Sequence, residues 1–137
     1  MKTILFVCHD NSALSQIAQA HAIRHGKNLV RAFSAGEKPA KSLSKWAVKV
    51  MQKNGYNLSI HHIANVVHFI DLNFDYIITM DCPKACLFVR TKSRMDWSIT
   101  EIIEPAAAEA SKINLLIETK VKTLMDFIKQ SGAEQGK

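Results

Sequence analysis

The strongest constraint on the fold lies at the start of the chain. Thr3 to Val7 is a short apolar run of branched and aromatic side chains, Cys8 follows at once, and His9-Asp10-Asn11-Ser12 form a polar turn. A helical pattern then sets Ala13, Ile17 and Ala20 on one side. The first run reads as a buried strand, and the change of period marks the helix. Cys8 thus falls between a strand end and a helix N-terminus, where backbone N–H groups and the helix dipole favour negative charge. That placement lowers a thiol's pKa and strengthens the thiolate as a nucleophile. The same turn can cradle an oxyanion. A buried structural cysteine fits the local pattern equally well.

The alternation continues along the chain. The first helix is expected over Ser12 to His25 with Gly26 as its stop. Leu29 to Phe33 reads as a second strand closing in Ser34-Ala35-Gly36, with Gly36 supplying the positive φ of a tight turn. Leu43, Trp46, Ala47, Val50 and Met51 recur at helical spacing before Asn54-Gly55, and Trp46 is read as core. Ile60 to Phe69, which holds His61, His62 and His68, reads as a helix feeding a third strand at Asp75 to Asp81. Arg94 to Ile99 suggests a fourth strand. Ile113, Leu116, Ile117, Val121, Leu124, Phe127 and Ile128 form an apolar helical stripe that Ser131-Gly132 should end, leaving 133–137 as a tail after a single domain over 1–132. Strands alternating with helices imply an α/β fold, a three-layer arrangement of a four-stranded parallel sheet with helices on both faces. Ligands of such sheets bind beyond the carboxyl ends of the strands, where Cys8 falls.

Composition narrows the function. At 137 residues there is room for one core and no second domain. No apolar run approaches the ~20 residues of a membrane span, and no signal-peptide pattern precedes the first strand. Three cysteines, an odd number in a chain that needs no covalent staple, fit a reducing cytoplasm. The net charge of +6 suits anionic partners, but the basic residues are scattered without interleaved aromatics, which disfavours nucleic acid. His21 and His25 lie four apart on the first helix. With no intervening glutamate and no third ligand in view they are read as surface histidines, and neither a metal nor a cofactor is expected. The spacing of Cys82 and Cys86 without a second pair is weak support for zinc.

The chain resembles the low-molecular-weight protein tyrosine phosphatases and the thioredoxin-coupled arsenate reductases of the same fold. Their first strand ends in C-x-G-N-x-C-R-S, and here Cys8, Asn11 and Ser15 match, while Asp10, Ala13 and Leu14 replace the glycine, the second cysteine and the arginine. Ser34-Ala35-Gly36, the D-x-I-x-T-M-D-like run Asp75 to Asp81, and Trp97 are further points of likeness. The resemblance implies that Cys8 is the nucleophile, that His9, Asp10, Asn11, Ser12, Ala13, Leu14 and Ser15 form the anion loop, and that Glu104, before Pro105, stands nearest the family's proton-donating aspartate. It also places Cys82 and Cys86 where the reductases keep their redox pair, with thioredoxin as the implied partner.

Leu14 offers neither the paired donors nor the charge of the arginine that clamps the anion. Asp10 adds a carboxylate that repels a dianion and raises the Cys8 pKa. The expectation is therefore a diverged family member with weak or no phosphatase activity, a pseudoenzyme that binds an oxyanion or phosphoprotein. The alternative is a thiol enzyme relaying a disulfide from Cys8 to Cys82 and Cys86. His9 and Arg24 are the side chains that could restore positive charge to the loop.

Overall fold

The computed structural model describes residues 1–135, with side chains as far as Gly132. Strand β1 (Lys2–Cys8) leads to helix α1 (Leu14–His25), β2 (Val30–Gly36) and α2 (Lys45–Lys53). Two single-turn 3₁₀ helices, Leu58–Ile60 and Val66–Phe69, precede β3 (Asn73–Thr79), β4 (Arg90–Asp96) and the long helix α3 (Ala107–Gln135). The strands form one parallel sheet in the order β2-β1-β3-β4, so β1 is central and its carboxyl end opens onto the site.

Alternation along β1 divides the interior. Ile4, Phe6 and Cys8 face the larger core with Leu14, Ile17, Met51, Ile117, Val121 and Ile128 of the three α-helices. Leu5 and Val7 face the second core with Phe74, Ile77, Val89 and Cys86. Each of these large side chains, fully removed from water, contributes about 1.5–3 kcal/mol. The second face is covered by the Val66–Phe69 turn and the irregular segment after β3, a thinner layer than the three α-helices opposite.

Several boundaries differ from the sequence reading. The helix expected over Ile60 to Phe69 is two short turns joined by extended chain, each started by an asparagine, Asn57 and Asn65, whose side chain accepts from the backbone two residues on. Such local bonds compete with a continuous helix. Strand β4 ends at Asp96 rather than Ile99, and its polar sequence RTKSRMD suits a sheet edge that carries no apolar signal. Helix α3 passes through Gly132, which is exposed and costs an interior turn only about 1 kcal/mol. The tail expected from Ala133 is therefore helical backbone as far as Gln135, and residues 136–137 lie outside those described.

Two polar devices hold the sheet in register. The Asp75 carboxylate accepts from the Thr3 backbone N–H at 2.8 Å, while the Asp75 N–H donates to Thr3 Oγ1 at 3.1 Å. Thr79 donates its hydroxyl to Asp96, whose other oxygen accepts from Ser98. The aspartate and threonine that make Asp75 to Asp81 recognisable are thus framework residues. Trp97 packs on Phe6 with ring centroids 5.8 Å apart.

Candidate active site

Cys8 ends β1 and is almost wholly buried. Its sulfur lies 2.9 Å from Ser15 Oγ and accepts from the Asn11 N–H at 3.2 Å. Asn11 adopts a left-handed φ of 58°, which turns its backbone N–H back toward the thiol. Its side chain donates to Ser15 Oγ at 2.8 Å and accepts from the Ala64 N–H at 2.9 Å. Gln16, also buried, donates from its side chain to both the Asn11 backbone carbonyl and Asn11 Oδ1, and its side-chain Oε1 meets His61 Nδ1 at 2.9 Å. The far nitrogen of His61 meets the Tyr56 hydroxyl. The loop is thus built from the inside by an amide network that locks its backbone.

The loop carbonyls are fixed from outside. His9 O accepts from the Lys38 N–H, Asp10 O from Ala40 and Ser12 O from Ser44. Gly36 lies directly under the loop: a Cβ there would fall 2.7 Å from the Asp10 carbonyl carbon and 2.8 Å from the Asn11 nitrogen. Close backbone approach, and not the positive φ expected of it, makes glycine necessary at this position.

Asp10 is the departure with the clearest consequence. Its Oδ1 accepts from the Ser12 backbone N–H at 3.0 Å and from the Ser12 hydroxyl at 2.8 Å. The carboxylate thereby occupies two of the loop's own donors, one of them a backbone N–H. Leu14, 1% exposed, packs in the larger core at the first position of α1 and also lines the cleft above the thiol. Ala13 is buried beside it.

That cleft, of about 120 Å³, is lined by Cys8, His9, Leu14, Met80, Asp81, Cys82, Ile99 and Glu101. Glu104, expected as the proton donor, is exposed and does not line it. The carboxyl groups that do line it are Asp81 and Glu101, the latter three residues before Glu104. Burial first, then the facing Asp10 carboxylate, raises the Glu101 pKa, with His9 opposing. Sequence reasoning missed Glu101 because the Glu-Pro pair drew attention to Glu104. The available signal was position: Glu101 follows the exit of the last strand, at the carboxyl edge of the sheet.

The expected lowering of the Cys8 pKa does not occur. Burial raises it and outweighs the hydrogen bonds from Ser15 and Asn11; Glu101, rather than Asp10, is the carboxylate that adds to the rise. The cations considered do not relieve this. Arg24 sits at the far end of α1, about 15 Å along the helix from Leu14, and donates to the Asn54 carbonyl. His9 is exposed and leans toward Glu37 at 3.7 Å.

Cys82 shares the cleft with Cys8 and directs its thiol at the Val7 carbonyl, 3.7 Å away. Cys86 lies fully buried in the second core, its sulfur 3.5 Å from Arg94 Nη1. All three cysteines are free thiols, and burial raises the pKa of Cys82 and of Cys86, Arg94 opposing it at the latter.

A model of the low molecular weight phosphotyrosine protein phosphatases matches residues 3–134. The chain belongs to that family. Its fold is similar to that of an arsenate reductase in the phosphate-binding state, with a TM-score of 0.81 and 22% identity over 93% of this chain and 99% of that one. A low molecular weight phosphotyrosine phosphatase from Vibrio cholerae O395 matches with a TM-score of 0.79 and 19% identity, over 96% and 99% of the two chains. A thioredoxin-dependent arsenate reductase from Corynebacterium glutamicum gives a TM-score of 0.75 and 25% identity, covering 96% of this chain and 63% of that longer protein. In this member of the phosphatase family, the residues shared with the family loop, Cys8, Asn11 and Ser15, are the ones bonded to one another. Of the three that differ, Asp10 bonds to Ser12, Ala13 is buried and Leu14 lines the cleft. No helix among the described residues is long and apolar enough to cross a membrane.

Away from the cleft, His21 is fully buried, contrary to its reading as a surface histidine. Glu118 of α3 meets both His21 and His25, a third side chain that a sequence separation of 93 residues between His25 and Glu118 concealed.

Proposed function

We propose that this chain is a diverged low molecular weight phosphatase with weak or no phosphotyrosine hydrolysis, a pseudoenzyme that acts by binding a partner in the cytoplasm. One observation carries the reading: Asp10 folds over Ser12 and takes the loop's own N–H and O–H donors. A phosphoryl group would have to displace that carboxylate and settle beside Glu101, with Leu14 giving no counter-charge. Like charges at such range in a partly dry cleft cost several kcal/mol. The thiol compounds the deficit, because a raised pKa leaves little thiolate at neutral pH. With para-nitrophenyl phosphate at neutral pH, turnover is expected far below the ~1–10³ s⁻¹ usual for enzymes. Turnover within that range would overturn the reading.

A second reading rests on a separate observation, the presence of Cys8 and Cys82 in one cleft with Cys86 four residues further on. In an arsenate reductase relay the Cys8 thiolate bonds to arsenic as one arsenate oxygen leaves as water, and Cys82 then attacks the Cys8 sulfur. The bond electrons leave with arsenic as arsenite, and a Cys8–Cys82 disulfide forms. Cys86 attacks Cys82 next, releasing Cys8 and leaving a Cys82–Cys86 disulfide that a thioredoxin dithiol can reduce. Because Cys86 is buried against Arg94, that last exchange requires the segment between β3 and β4 to open. Mild treatment with hydrogen peroxide, which takes two electrons and two protons from the thiol pair and leaves water, tests it. The relay predicts a Cys82–Cys86 disulfide in peptide mass spectra that thioredoxin reverses, whereas persistently free thiols at both positions leave only the binding reading.

A further inference from the structure

We propose that His21, His25 and Glu118 form a binding site for a divalent metal of the zinc class at the junction of α1 and α3, remote from the Cys8 cleft. The nitrogen and oxygen ligand atoms of the three side chains lie within 4.8 Å of one another. Nitrogen and carboxylate ligands about 2.0–2.1 Å from a tetrahedral zinc stand about 3.3 Å apart. His21 Nδ1 is 3.6 Å from Glu118 Oε2, and His25 Nε2 is 2.9 Å from the same oxygen. Small side-chain rotations bring the set to coordination distance.

The second, independent observation is an orphaned atom. His21 is 0% exposed, and its Nδ1 is a buried nitrogen without a hydrogen-bond partner among the described residues. Its Nε2 lies 2.7 Å from Asn114 Oδ1, an oxygen that can only accept, so Nε2 carries the ring proton and Nδ1 presents a bare lone pair. That lone pair faces a carboxylate oxygen, which is also an acceptor. Two acceptors across 3.6 Å with no hydrogen between them repel each other, and a cation placed between them removes the conflict. Asn114 supplies the outer hydrogen bond that holds a ligating histidine in one tautomer and orientation.

The remaining surroundings permit the charge. Burial lowers the His21 pKa and His25 lowers that of Glu118, which favours a neutral imidazole and an ionised carboxylate. Arg24 and Lys122 are the nearby cations, and Arg24 is drawn away to the Asn54 carbonyl. His25 and Glu118 retain 29% and 22% side-chain exposure, leaving an entry path and room for a water as fourth ligand.

Titrating the reduced full chain with cobalt(II) chloride, followed by competition with zinc chloride, tests the site. The expected result is one equivalent of cobalt with the visible bands of a low-coordinate site and no near-ultraviolet sulfur-to-cobalt charge transfer. Zinc should displace it and raise the thermal midpoint. Glu118→Gln and His25→Gln are both partly exposed changes and should each abolish this binding, while Asn114→Ala should weaken it about 10–100-fold. His21→Ala opens the core, so the decision rests on the other variants. Absence of a cobalt spectrum, binding unchanged in Glu118→Gln and His25→Gln, or a thiolate charge-transfer band placing the metal on the cysteines would each overturn the assignment.

Discussion

Leu14→Arg combined with Asp10→Gly is expected to raise hydrolysis of para-nitrophenyl phosphate by about 10²–10³-fold, the usual value of one preorganised donor at a developing charge. Position 14 is the first residue of α1 and borders the cleft over the Cys8 sulfur, so a longer side chain there can leave the core and turn toward the anion. The change at Asp10 must accompany it. With the carboxylate in place, the new guanidinium would pair with Asp10 or Glu101, and the Ser12 N–H would remain occupied. The double variant removes a negative charge, frees a donor and adds a bidentate clamp. Leu14→Arg alone should therefore gain much less. Initial rates of the single and double variants check this. Equal, negligible gains in both would mean that Glu101 cannot serve as proton donor or that the loop's curvature no longer fits a phosphoryl group.

Asn11→Ala should destabilise the protein by about 2–5 kcal/mol. Its side chain answers Ala64, Gln16 and Ser15 at once; the Ala64 N–H is left unpaired at a cost of about 1–3 kcal/mol, while Gln16 keeps the Asn11 and His62 carbonyls and Ser15 keeps Cys8. Its φ of 58° adds about 1–2 kcal/mol for a residue that, unlike asparagine, does not visit the left-handed region readily. Asn11→Gly separates the two contributions, because glycine relieves the backbone strain while losing the same hydrogen bonds. Urea midpoints of the three proteins measure both. A loss under about 1 kcal/mol in Asn11→Ala would show that water or rearranged side chains replace the network.

The loop residues also show what could be read from sequence. The strand–turn–helix at the start of the chain was legible because its hydrophobic period changes abruptly, and the sheet followed from repetition of that unit. Asn11 stood out only through its match to the loop pattern; its function as a hub depends on Gln16, Ala64 and His61, which no local spacing links to it. Strand β4 was misplaced because an edge strand of mostly polar residues has no alternation to detect. Glu101 was overlooked for a related reason. Its place in the cleft is set by the exit from β4, and a boundary displaced by three residues moves the acid with it. Gly36 was recognised as necessary, but only the packed structure distinguishes a turn glycine from one that admits a neighbouring backbone.

The position of α3 has a consequence for how the chain acquires its structure. Ile113, Ile117, Val121, Leu124, Met125 and Ile128 close the larger core over Ile4, Phe6 and α1, although more than a hundred residues separate Ile4 from the middle of that helix. The second core, by contrast, draws on β1 and segments no further along than Val89. During synthesis at about 5–20 residues per second, the thin side of the sheet can be completed first, while the face that carries Phe6 and Cys8 waits for the final helix. For those seconds the apolar side of α1 that packs against α3 is open to solvent and chaperones. Vectorial folding thus makes the outer side of α1 the last surface of the larger core to be closed.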